Sequence, residues 1–78
     1  MIFLIEYNRN RGEIVTLHKF EDSERRRAQV ARLQRELELN HLGITHEIVL
    51  LEAATEAALR RTHRRYFENL SQLENVPT

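Results

Sequence analysis

The sequence predicts a small two-layer α+β domain of pattern ββαβα, in which a three-stranded mixed sheet of order 2-1-3 carries two helices. Three observations carry this reading. Two β-rich runs, residues 2–7 and 13–20, flank Asn8-Arg9-Asn10-Arg11-Gly12, where asparagine and glycine tolerate the positive φ that a chain reversal needs. The span 24–42 has no Pro or Gly and stops at Gly43. Residues 44–71 then repeat the sense of strand followed by helix. No internal repeat or linker interrupts 1–78, so the chain reads as one domain, with residues 74–78 expected to fray.

The first strand is the most apolar and belongs in the middle of the sheet. If Tyr7 faces Glu13 across the loop, Ile5 pairs with Val15 and Phe3 with Leu17. One face then carries Phe3, Ile5, Tyr7, Val15 and Leu17. The other carries Ile2, Leu4, Glu6, Ile14, Thr16 and His18, an apolar face for a sheet wetted on one side. Asp22 or Ser23 is placed to cap the first helix. At about 100° per residue that helix has two apolar stripes: Val30, Leu33 and Leu37, and, roughly opposite, Ala28, Ala31, Leu39 and Leu42. A helix resting on one sheet needs only one.

Ile44 to Leu51 reads as the third strand, with His46, Ile48 and Leu50 on one side and Glu47, Val49 and Leu51 on the other. Thr55 is placed to cap a second helix over 56–71. Its apolar stripe is Leu59, Thr62, His63, Tyr66, Leu70 and Leu73, broadened by Phe67, with Arg60, Arg61, Arg64 and Glu68 opposite. A helical crossover makes strands two and three parallel to each other and crosses the hairpin to give the order 2-1-3. Both edge strands lack proline, and Lys19 and Glu47 are their blunting charges.

Length and charge narrow the function. The 78 residues bury only about 65% of the surface that the unfolded chain exposes, and without cysteine neither disulfides nor thiolate metal sites reinforce the fold. Self-association is the remaining common reinforcement. The opening apolar run is too short for a signal peptide, and Ile48 to Leu51 is too short to cross a bilayer, so a cytoplasmic location without membrane contact is expected. Twelve basic residues balance twelve acidic ones, which removes a global pull toward polyanions. Locally, arginines concentrate at 25–27 and 60–65.

No catalytic, cofactor or metal constellation is legible. His18, His41, His46 and His63 lack a zinc-binding spacing, and Glu6, Glu47 and Glu52 read as ordinary strand carboxylates. The expectation is therefore a non-enzymatic interaction domain that forms a homodimer, binds another protein, or does both. With both helices on one face of the sheet, Ile2, Leu4, Ile14, Ile48 and Leu50 would form the self-association patch. Arg11, Arg60, Arg61, Arg64 and Arg65 would contact a partner's carboxylates at its rim. The alternative is a nucleic-acid-binding accessory protein that sets the arginine face of the second helix against phosphates.

Overall fold

The computed structural model describes residues 1–67. Strand β1 (Ile2–Asn8) and strand β2 (Glu13–Phe20) form the hairpin. A single 3-10 turn (Asp22–Glu24) leads into helix α1 (Arg25–Leu42), which is followed by strand β3 (Glu47–Glu52), helix α2 (Glu56–Thr62) and the short helix α3 (Arg64–Phe67). The sheet order is β2-β1-β3, as expected. β2 and β3 run parallel to each other without being neighbours. Both ladders are therefore antiparallel, and the expected mixed pairing does not occur.

Local chemistry explains the element ends. The Asn8 side chain accepts hydrogen bonds from the Asn10 and Arg11 amides, both 3.1 Å long, and the Gly12 amide donates to the Asn8 carbonyl at 2.8 Å. Gly12 completes the reversal at φ 65°. At the end of α1, Gly43 adopts φ 72°, and the Gly43 and Ile44 amides return to the carbonyls of Asn40 and Leu39. Thr55 caps α2 by accepting from the Ala58 amide at 3.1 Å. The expected side-chain cap at Asp22 or Ser23 does not form: Glu24 stands at the N-cap of α1 without a side-chain cap bond, its carboxylate instead accepting from the Glu21 amide across the 3-10 turn, and Asp22 pairs with the Met1 amino group.

The hairpin register differs from the expected one. Phe3 faces Lys19, Ile5 faces Leu17 and Tyr7 faces Ile14, with a bulge where Val15 has no partner between Thr16 and Ile14. An extra residue in one strand reverses the inward-outward alternation beyond it. Ile14 thereby joins the face of Phe3, Ile5 and Tyr7, and Val15 is left exposed.

The helices lie on opposite faces of the sheet, so the two-layer arrangement with both helices together is corrected to helix, sheet, helix. Phe3, Ile5 and Tyr7 pack with Leu59 and Tyr66 against α2 and α3, supported by Leu17, Val49 and Leu51. The Tyr7 and Tyr66 rings meet edge to face at 5.1 Å. Ile2, Leu4 and Glu6 point the other way, toward α1. The physical reason is the central strand itself: all of Ile2 to Tyr7 is buried, which demands cover on both faces.

The single helix expected over 56–71 breaks at His63, whose φ of −125° and ψ of 51° are non-helical. Thr62 turns its hydroxyl back onto the Ala58 and Leu59 carbonyls and meets His63 Nδ1 at 2.9 Å. The break lets α3 bring Tyr66 onto Tyr7. The expected stripe positions Leu70 and Leu73, Glu68 opposite them, and the fraying of 74–78 lie outside the described residues.

Candidate functional site

Helix α1 is where the fold leaves chemistry and apolar surface unspent. Its inner side places Ala28 and Leu39, both buried, and the half-buried Ala31 over the sheet. Its outer side exposes Val30, Leu33 and Leu37 at 48%, 53% and 60% of their surface. Their spacing of three and then four residues makes one continuous row along the helix. Leu42, expected with the inner stripe, is also exposed.

Beneath α1 lies a charge that the sequence reading missed. Glu6 is only 2% exposed on the central strand, yet both of its oxygens are engaged. Arg35 of α1 donates from Nε to Oε1 at 2.7 Å and from Nη2 to Oε2 at 3.3 Å. His46, in the turn before β3, brings Nδ1 to within 2.6 Å of Oε2. The Arg35 hydrogen bond holds the Glu6 carboxyl below its ordinary pKa of 4.5 against the opposing effect of burial, and His46 adds to the lowering. Arg35 is correspondingly held above its ordinary value, first by Glu6 and secondarily by Glu38, which it reaches at 3.0 Å.

Because α1 lies over β1 and β3, it leaves the adjoining face of β2 uncovered. A groove of about 460 Å³ runs there, floored by Leu4, Phe20 and Ile48 and walled by Gln34, Arg35 and His18. Thr16 and His18, at its β2 side, are exposed.

The expected self-association residues do not form an open patch. Ile2 and Leu4 are buried under α1, Ile48 and Leu50 are half-buried on the same face, and the bulge sends Ile14 to the opposite side. The single-face helix arrangement that would have exposed them is absent, so the accessible apolar row is on the helix instead.

The expected arginine contacts are exposed but do not make one face. Arg60 and Arg61 belong to α2, and Arg64 and Arg65 to α3, with the break at His63 between them. Arg60 lies over the Phe67 ring at 4.6 Å. Arg65 stacks on Tyr66 at 4.3 Å, donates to the Tyr66 hydroxyl at 2.5 Å and reaches Glu47 at 3.3 Å. Arg11 pairs with Glu13 at the hairpin. Of the 25–27 cluster, Arg25 meets Glu52 and Arg27 meets Glu24, which offsets the unfavourable placement of cations in the first helical turn.

Among the described residues, no three His, Cys, Asp or Glu side chains are grouped to hold a metal ion, and no helix is long and apolar enough to cross a membrane. The signal that could have revealed Glu6 was its position: a carboxylate in the middle of the most apolar strand needs a buried partner. Compared with protein-family models, curated proteins and solved structures, the chain shows no significant match to any.

Proposed function

We propose that this chain is a protein-association domain whose partner is a second copy of itself, docked antiparallel along the outer row of α1. The observation that carries the reading is the row of Val30, Leu33 and Leu37, turned away from the sheet and about half exposed. Isolated exposed leucines are ordinary; a row at helical spacing on an otherwise polar helix face matches the seam by which helices pair.

Charge complementarity selects the second copy and its direction. Arg27 and Glu38 project from the same flank of α1, beside the apolar row. In an antiparallel pair centred near Leu33, Val30 meets Leu37 of the partner subunit and Arg27 approaches Glu38 of the partner subunit, twice by symmetry. A parallel pair would put the two Arg27 flanks on opposite sides of the seam, out of reach of Glu38 of the partner subunit. The helix is about 27 Å long, so this contact sits at the small end of specific interfaces and implies micromolar rather than nanomolar affinity. A cytoplasmic setting suits a chain without cysteine.

Sedimentation across about 5 to 200 µM tests the reading, a range that brackets micromolar association. The wild type is expected to move from the mass of one chain toward that of two, and Leu33→Glu to remain a monomer throughout. Arg27→Glu should weaken the dimer and Arg27→Glu with Glu38→Arg should restore it. A strict monomer for the wild type overturns the proposal.

A further inference from the structure

We infer that the Glu6, Arg35 and His46 cluster selects which of the two apolar stripes of α1 packs on the sheet, and so keeps Val30, Leu33 and Leu37 on the docking side. The inference rests on the reading of α1 as the docking helix, and it assigns Glu6 and Arg35 as positioning residues for that surface.

The two stripes compete on unequal terms. The one against the sheet is built largely from alanine, at Ala28 and Ala31, with Leu39 as its bulky member. The one facing outward is Val30, Leu33 and Leu37. Apolar burial scales with the area removed from water, so by that term alone the bulkier stripe belongs inward. The observed packing is the reverse, and something other than apolar area must hold it.

Glu6 supplies that term. Its carboxylate sits on the central strand directly under the helix, buried, with Arg35 on both oxygens. Arg35 shares the inner side of α1 with Ala28 and Leu39. Turning the helix to bring Leu33 onto the sheet would carry Arg35 away and leave a buried carboxylate without its guanidinium, a strongly unfavourable state. His46 holds the second oxygen from the turn beyond Gly43, so the cluster fixes the helix near its middle and just past its end. A buried ionic group that sets register at the expense of apolar packing is a known use of such groups.

The absence of cysteine makes a single-thiol probe clean. Leu33→Cys is placed in the wild-type, Glu6→Leu and Glu6→Gln backgrounds, and thiol labelling is followed at about 1 µM, where micromolar association leaves monomer. Circular dichroism establishes that each variant is folded. Glu6→Leu removes the anchor and makes the sheet face apolar; labelling at position 33 is expected to slow about tenfold as the population moves to the alternative packing. A Leu39→Cys probe should accelerate in the same background. Glu6→Gln, which keeps the side-chain shape, should slow position 33 by about threefold and decides the matter if Glu6→Leu does not fold. Unchanged labelling at position 33 in the folded variants overturns the inference. Its fate is separable from that of the dimer: slowed labelling in a chain that never dimerises supports the selection and sinks the association reading, whereas unchanged labelling in a chain that does dimerise has the opposite meaning.

Discussion

The two faces of the sheet are covered by different physics. Against α2 and α3 the cover is aromatic and interlocking: Phe3, Ile5 and Tyr7 meet Leu59 and Tyr66, and two tyrosine rings fix the approach angle. Against α1 the cover is thinner, with alanine in place of large side chains and a buried carboxylate and guanidinium at the centre. Packing rewards volumes that fit, whereas a buried ion pair demands a present and well-aligned partner for each charge. One cover is built from interlocking volume and the other around a charge pair, and the second leaves the row of Val30, Leu33 and Leu37 exposed.

This contrast is open to attack. The largest effect is expected from Phe3→Ala, which empties a fully buried site on the aromatic side and should cost about 4 kcal/mol in urea unfolding. A loss below about 1 kcal/mol would show that this face is not held by volume. Next is Arg35→Ala, which leaves Glu6 buried with only His46 and should cost about 3 kcal/mol at neutral pH.

That second loss carries a pH signature. The folded-state pKa of Glu6 lies below its ordinary 4.5, so the stabilisation is complete above that value and disappears as pH falls through the lower folded one. The stability gap between wild type and Arg35→Ala should therefore close on acidification below about pH 4.5, while the Phe3→Ala gap persists. Parallel acid profiles for the two variants would erase the distinction between the faces. The smallest expected effect is that of Thr55→Ala, about 1 kcal/mol by thermal unfolding, because it removes only the cap bond to the Ala58 amide.

Much of the fold was legible because its signals are local. Asn8 and Gly12 mark the hairpin, Gly43 ends α1 and Thr55 begins α2, each through a bond within a few residues. The order 2-1-3 followed from chain connectivity and the apolar first strand. The register did not, since the bulge at Val15 exists to bring Ile14 and Tyr7 onto one packed face, a requirement imposed by α3 from the far end of the sequence. The break at His63 has the same origin: the residues around it favour helix, and docking of Tyr66 on Tyr7 overrides them.

The candidate surface was half legible. Two stripes on α1 could be counted from spacing, but which one meets solvent could not, because periodicity is blind to direction. The five residues expected to associate were chosen for apolar character, and the placement of a helix on each face withdrew them.

What the amino-acid order alone dictated is the strand and helix pattern, the sheet order, the stops at Gly12 and Gly43, the start at Thr55 and the existence of surplus apolar surface, since these depend on backbone preference and side-chain period over short spans. Long-range packing settled the rest: the face on which each helix lies, the stripe of α1 that is turned outward and the burial of Glu6. Those outcomes depend on contacts between residues 29 and 40 positions apart, Glu6 with Arg35 and Glu6 with His46, whose strength exists only once folding has removed water from around them.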